Sequence, residues 1–566
     1  MQGTKPEAAN STSLPARFLL ILERVLERVS ARTGVTKGVY SIAVIFFILI
    51  VITPAIAGIV VQLFSLPSLA LSPDVAKRME AAVQWSFVIG LVVSTLDVLA
   101  GIPLAWLIVR NHGHWTTILD SLADIPFVVP TVALGFSILE FWSSPVGIAQ
   151  LFGSTSLVSP GVILIMLLHF AFSFPVIVRV MVGEFLNYRE SYEVAARTLG
   201  ASPLTAVRTV TIPILRPGIL AAFLLALARS LSETGATIVV AGAFENGTVF
   251  INNARVSGLT SAVVIASLTM IVSSLVVFGL IKIIAPRIRV LPLRVWPNLE
   301  RKLSKSPVVA TRNAITLIGF LVFVLLPCLF LALPAVEAVA GGTAIEAFAG
   351  VGPWKAFWSS MFLSYVIAVL ATIVNIVSGL PIAILIARKR FGTRVAKIVD
   401  ALVDLPIIVP SLALGVSLNF FWRTMGTLPE FWVILLAHTT ITYSYFVRTM
   451  AASIQGIAPE LEDAAKTLGA QPLRVFRKIT LPLTKYSLLS GAILVFTRSV
   501  DETGATSAVA VNLKTAPILL VSWITGKVAV TPAERALGVG FLVATSFFAL
   551  VILRLIAIHI SARKVA

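Results

Sequence analysis

Charge is what this chain has least of. Only 12% of its 566 residues are Asp, Glu, Lys or Arg, where a soluble domain carries about a quarter. So few ionic side chains cannot cover a water-soluble protein of this size. Cysteine is rarer still. Cys328 stands alone, which excludes an intrachain disulfide and a cysteine-based zinc site, and in the apolar run Leu321–Leu333 it reads as a packing residue. The chain has no Gly-x-x-x-x-Gly-Lys-Ser/Thr phosphate loop. Nor does it have a hydrolytic nucleophile elbow, a zinc-spaced His/Cys cluster or a dinucleotide fingerprint. Neither an enzyme, a metal site nor a resident cofactor is expected. The first apolar run begins near Tyr40, too late for a cleavable signal peptide.

What is abundant is apolar: 58% of residues are hydrophobic and the mean hydropathy is +0.98. Ser41 to Leu63 and Ser257 to Ile281 hold no charge. Each exceeds the roughly 20 residues a helix needs to cross hydrocarbon. The expectation is an all-α polytopic membrane protein embedded in a lipid bilayer, with about twelve spans. In the first half these are 41–63, 83–109, 120–142, 158–182, 213–242 and 259–284; in the second, 313–335, 357–387, 398–421, 431–452, 484–511 and 533–558. The divisions follow: 1–40 an N-terminal segment, 41–284 a first half, 285–312 a basic linker, 313–566 a second half. Within the first, Leu14 to Arg32 places Leu, Ile and Val at helical spacing among Arg24, Arg28 and Arg32, the pattern of an amphipathic helix on the inner membrane surface, with a frayed basic tail as the alternative. With the N-terminus inside, inner segments hold 34 of the 44 Lys and Arg, outer segments hold 8, and Arg229 and Arg498 fall within spans. The positive-inside rule then puts both termini in the cytoplasm. It also accounts for most of the +18 net charge without a nucleic-acid partner.

The halves are copies. Asp124-Ile-Pro-Phe-Val-Val-Pro130 recurs as Asp404-Leu-Pro-Ile-Ile-Val-Pro410, and His169, Arg179, Gly200, Pro213 and Glu233 recur 269 residues later as His438, Arg448, Gly469, Pro482 and Glu502. Both halves start on the same side, so these are parallel repeats with a pathway expected between them.

Between the fourth and fifth spans of each half lies a polar segment. One reads Glu193-Val-Ala195-Ala196-Arg-Thr-Leu-Gly200-Ala-Ser-Pro and ends at Pro213. The other reads Glu462-Asp463-Ala464-Ala465-Lys-Thr-Leu-Gly469-Ala-Gln-Pro and ends at Pro482. A short helix, a glycine turn, a second helical stretch and a proline opening the next span would make a compact knob. On these residues the chain resembles the binding-protein-dependent permeases of ABC importers, whose loop reads Glu-Ala-Ala, three residues, Gly, nine residues, Ile-x-Leu-Pro. The second half fits with Asp463-Ala464-Ala465 and Ile479-Thr-Leu-Pro482. The first departs, with Val194 at the acidic position. The resemblance implies that each knob docks one of two cytoplasmic ABC ATPase copies. ATP and magnesium would sit on those subunits, and an extracytoplasmic solute-binding protein would deliver the cargo.

The fifth and eleventh spans carry Arg229-Ser-Leu-Ser-Glu233-Thr-Gly235-Ala-Thr and Arg498-Ser-Val-Asp501-Glu502-Thr-Gly504-Ala-Thr. Ionisable groups at such depth face a cavity or pair with each other. Arg and Glu four apart share a helix face, and Thr-Gly-Ala offers a thin surface for a second helix. Two readings stand: a gate on a translocation path, or ion pairs that hold the bundle together. The stretch resembles one in molybdate and sulfate permeases, with Thr234 and Thr503 replacing an aromatic residue. Of the other polar residues in spans, His169, His438 and Asp97 read as hydrogen-bonded packing groups, Asp124 and Asp404 as helix N-terminal carboxylates, and Pro103 and Pro381 as kinks.

The fused halves resemble ferric-iron and thiamine permeases. The Glu-Thr-Gly-Ala-Thr stretches point toward the inorganic-ion group, so an inorganic ion is the expected cargo, with ferric iron placed ahead of molybdate, tungstate or sulfate, and thiamine or a polyamine as the alternative. Two other classes stay open: an ATP-independent secondary transporter, and a membrane scaffold that binds an ATPase but moves nothing.

Overall fold

The computed structural model describes residues 27–65, 70–111, 113–284, 287, 296–426 and 428–562. The amphipathic N-terminal stretch falls largely outside them, as do residues 288–295 of the linker. Among the described residues twelve helices build the bundle: α1 (Gly34–Ser65), α2 (Pro73–Arg110), α3 (Thr131–Ser143), α4 (Val162–Asn187), α5 (Pro203–Ser232), α6 (Thr260–Ile284), α7 (Ser306–Ala340), α8 (Trp354–Arg388), α9 (Ser411–Thr424), α10 (Glu430–Gln455), α11 (Pro472–Val500) and α12 (Pro532–Ala562). All but two of the corresponding helices are long and apolar enough alone to cross a membrane. The segment before α9 passes only together with it, as a pair bent by 107°. α10 is as long as α4 but less apolar, because Thr439, Thr440, Thr442 and Ser444 are buried on it. Three of the four hydroxyls find acceptors: Thr442 donates to the His438 carbonyl at 2.6 Å, Thr440 to that of Leu436 at 2.9 Å and Ser444 to that of Val403 at 2.5 Å, which helps keep the helix inside the bundle; the Thr439 hydroxyl has no partner among the described residues.

Four expected spans are broken. The spans expected at 120–142 and 398–421 start at Thr131 and Ser411; His114–Leu122 and Thr393–Val403 are separate amphipathic helices before them. The spans expected at 213–242 and 484–511 stop at Ser232 and Val500, and short helices Gly235–Val240 and Gly504–Val509 follow. Pro103 and Pro381 lie inside unbroken helices. The glycines beside them admit neighbours: a Cβ on Gly101 would press on Ile177, and one on Gly379 on Phe446.

The repeats of the sequence are not separate packing units, because the first helix of each half lies against the other half. Ser417 on α9 donates to the Pro54 carbonyl of α1 at 2.9 Å and accepts from Ile59 N at 3.1 Å. Its counterpart Ser137 on α3 donates to the Pro327 carbonyl of α7 at 2.5 Å and accepts from Leu331 N at 2.9 Å. Each hydroxyl fits a helix turn loosened by proline. Aromatic contacts widen the exchange: Phe47 stacks on Tyr443 at 5.4 Å, and Phe320 on Phe174 at 6.0 Å.

Asp124 and Asp404 make no side-chain cap for the short helices they precede. Instead Arg448 bridges Asp400 (2.5 Å) and Asp404 (2.6 Å), and Arg179 bridges Asp120 (2.8 Å) and Asp124. These forks tie the amphipathic helices His114–Leu122 and Thr393–Val403 to α4 and α10. The sequence reading missed them because the arginines lie 44 to 59 residues away along the chain.

Candidate functional site

The two polar segments fold alike. Ser191–Thr198 and Pro459–Thr467 are helices, each followed by a glycine with positive φ (Gly200, 93°; Gly469, 83°). There a Cβ would be strained, so glycine makes the turn. Next come the short helices Pro203–Ala206 and Pro472–Val475, then a π-helical turn (Val207–Thr211; Phe476–Thr480). Pro213 and Pro482 follow that turn inside a continuous helix, rather than opening it. Proline cannot donate to the carbonyl four residues back and its ring crowds it, and a widened turn relieves both.

Burial separates the predicted knob residues. Glu193 and Glu462 are buried, while Val194, Asp463, Ala195 and Ala464 are exposed. Glu462 accepts from Arg388 at 3.0 Å and from Thr480 at 3.1 Å; Glu193 pairs with Arg110 at 2.8 Å. These glutamates therefore anchor the knobs to the ends of α2 and α8, on the same face as the linker. Asp463 is exposed and paired with Lys466 at 2.7 Å, which holds its carboxyl below the usual range. Leu199 (90% exposed) and Leu468 (88%) project beside the glycine turns. Sequence reasoning passed over these leucines. Their signal was an apolar residue at the same place in both polar loops.

Each knob is also held by the helical segment preceding the other half's first helix. Glu300, on the linker helix Pro297–Leu303, accepts from Thr205, Arg208 and, at 3.2 Å, Trp296 N. The Thr205 hydroxyl, foremost, holds its carboxyl below the ordinary value. Glu27 accepts from Arg474 at 2.6 and 3.0 Å.

At the far ends of α5 and α11 the chain breaks where Glu-Thr-Gly occurs. Glu233 is extended (φ −73°, ψ 127°) and its carboxylate turns forward to accept from Ala236 N at 2.9 Å, capping the next short helix. Glu502 does the same to Ala505 N at 2.9 Å. Each break is stapled by a histidine. His169 contacts Ser230 (2.7 Å) before the break and Thr237 (2.9 Å) after it; His438 contacts Ser499 and Thr506, both at 2.8 Å. Asp97 accepts from Ser173 on α4.

Arg498 pairs with Glu502 at 2.7 Å, as the spacing predicts. Arg229 does not pair with Glu233 among the described residues, although Arg498 and Glu502 pair across the equivalent break. Its guanidinium lies over Phe172 (3.9 Å) and Phe127 (4.9 Å) and donates to the Phe172 carbonyl at 3.1 Å.

The two breaks meet. A Cβ on Gly235 would overlap the Thr503 hydroxyl; one on Gly504 would overlap Ser411 and press on Thr234. Asp501 reaches across to the first half, accepting from Thr131 N (2.6 Å) and its hydroxyl (3.1 Å) at the start of α3. The reciprocal contact is neutral: Ser411 donates to the Ser232 carbonyl at 2.9 Å. On the knob side of this junction lies a cavity of about 460 Å³, lined among others by Arg179, Arg229, Arg498, Asp124 and Asp501.

Comparison with known proteins places this arrangement. The family model for the binding-protein-dependent transport system inner membrane component matches residues 97–290 and again 379–566. The sulfate transport system permease protein CysT of Salmonella typhimurium is 33% identical over 28% of this chain and 65% of its own length. The spermidine/putrescine transport system permease protein PotC of Haemophilus influenzae is 34% identical over 30% and 63%. The molybdenum transport system permease protein ModB of Mycobacterium tuberculosis is 31% identical over 40% and 90%. The chain thus spans just under two thirds of the length of the first two. With the family's domain present twice in a bundle of membrane-crossing helices, this multi-pass chain belongs to the binding-protein-dependent transport system inner membrane component family, as two permease domains in one polypeptide.

Proposed function

We propose that the chain is the complete membrane pathway of an ABC importer and that its cargo is a small inorganic oxyanion. The observation that carries the importer reading is the pair of equivalent knobs, each presenting a nearly fully exposed leucine beside a glycine turn. Two ABC ATPases dock there, in the cytoplasm with both termini. ATP and magnesium belong to those subunits, and a solute-binding protein docks on the opposite face. The buried Glu193 and Glu462 make each knob rigid, so that ATPase motion passes into α5 and α11 as rigid-body movement. The Glu-Thr-Gly-Ala-Thr junction is the gate, formed by Gly235 and Gly504 with Glu233 and Glu502 as caps.

The oxyanion assignment rests on the arginines of the inner cavity and on the sulfate and molybdenum permeases among the relatives. Ferric iron, placed first from the sequence, has less behind it: among the described residues no group of three His, Cys, Asp or Glu could hold a metal ion. A polyamine remains the second reading, favoured by the PotC relative but opposed by the arginines, which repel a polycation.

Two experiments test this. Co-purification of the ATPase with the full chain should succeed for wild type and fail for L199D/L468D; retention by the variant would move docking elsewhere. The partner binding protein, titrated with sulfate, molybdate, tungstate, ferric iron, thiamine and spermidine, should bind one oxyanion. Binding of spermidine or thiamine alone would overturn the cargo and leave the importer intact.

A further inference from the structure

A second, smaller cavity lies on the other side of the junction. It holds about 90 Å³, and its floor is Thr234, Gly235 and Thr503. Its walls come from both halves: Asn252 and Arg255 on the short helix Gly247–Val256, and Ser507, Ser522 and Lys527 from the second repeat. The polar lining is donors and hydroxyls, with no carboxylate. Arg255 Nε is buried without a hydrogen-bond partner among the described residues, and so is the hydroxyl of Thr234, itself only 2% exposed. Buried polar groups are normally satisfied, so two orphans in one cavity point to a ligand that accepts hydrogen bonds.

The shape narrows its chemistry. On the measure by which one water needs about 10–15 Å³, the cavity has room for a compact ion and a few waters. An arginine fork matches paired oxygens, and Lys527 supplies a second positive charge from the opposite half. We propose that this cavity is a binding site for a single tetrahedral dianionic oxyanion, where cargo waits above the closed junction. Resting on the oxyanion-importer reading, the site couples occupancy to opening: its floor is Thr234 and Thr503, so the ion leaves inward only when that contact parts, toward Arg229 and Arg498.

The test uses the full chain in nanodiscs with its ATPase and binding protein. Tungstate should raise the melting temperature of the wild-type chain relative to chloride at matched ionic strength. R255Q/K527Q should lose that shift, and R255K should keep most of it. Crystals soaked in tungstate should show its anomalous peak within hydrogen-bond reach of Arg255. Oxyanion uptake should fall at least tenfold in R255Q/K527Q while ATPase co-purification holds. No tungstate shift in wild type, or an equal shift in the double variant, overturns the site even if oxyanion uptake proceeds. Uptake of spermidine with no oxyanion uptake overturns the cargo reading, and the site with it.

Discussion

The two halves of the junction are built on one plan and charged differently. In the second half Arg498 pairs with Glu502, and Asp501 caps α3 across the interface. In the first, Arg229 rests on two aromatic rings and Ser232 takes the place of the aspartate. What both halves share is the capping glutamate, the histidine staple and the glycine. The comparison teaches which parts define the backbone break and which only tune its field. The caps and glycines that recur sit at the backbone break itself, whereas the charges that diverge lie beside it.

The largest effect is expected where the halves agree. G235V/G504V forces side chains into the junction, an overpacking of about 1–3 kcal/mol per site, and should abolish uptake in proteoliposomes while the ATPase still co-purifies. Normal uptake would mean the junction is not on the path. E233A/E502A, which removes both caps, should likewise abolish uptake with the ATPase bound.

Next comes the variant that separates the halves. Glutamine keeps the capping oxygen but removes the charge. E502Q strands Arg498, and breaking one side of a buried pair costs about 3–5 kcal/mol, so uptake should fall at least tenfold. E233Q strands nothing and should stay within twofold. Equal losses would show that the charge matters at both sites, and the comparison would collapse. D501S makes the second half resemble the first; loss of one cap costs about 0.5–2 kcal/mol and should lower the melting temperature by a few degrees, with uptake reduced less than in E502Q.

The smallest effect concerns the linker. The Glu300 carboxyl is held below the ordinary 4.5 by Thr205, the Trp296 amide and Arg208. A depressed carboxyl contributes stability that is fully present above 4.5 and is lost as pH falls through its folded value. Hydrogen exchange across 203–211 should therefore quicken in acid below about pH 4.5 in wild type. In E300Q it should be quick already at neutral pH, with little further change.

The sequence carried the parts that depend on local pattern. Apolar runs marked the spans, and two polar loops at one topological position marked the knobs. The breaks at Glu233 and Glu502 were half legible. Thr-Gly-Ala announced a thin surface, but a continuous apolar run hid the helix end, and a spacing shared by both halves does not show that Arg498 pairs with Glu502 while Arg229 turns to Phe172 and Phe127. Glu193 and Glu462 stand out in the sequence as acidic residues of the polar loops. Their inward direction depends on Arg110 and Arg388, 83 and 74 residues distant. The exchange of α1 and α7 was illegible for a deeper reason. Ser137 and Ser417 offer the same groove, and Pro54 and Pro327 the same loosened turn, so residue pattern alone does not say which copy fills which.

That exchange sets the order in which the molecule can be completed during synthesis. When the sixth helix leaves the ribosome, the groove around Ser137 is still vacant, and α1 touches α6 but lacks its larger seat on α9. The vacancy closes only when α7 arrives, across a linker that begins where α6 ends. α1 waits longer, until α9 and α10 are inserted. A chain cut between its halves would leave each with one open seat and a first helix stripped of its contacts to the other half. The covalent join turns a search between two separate molecules into a step within one.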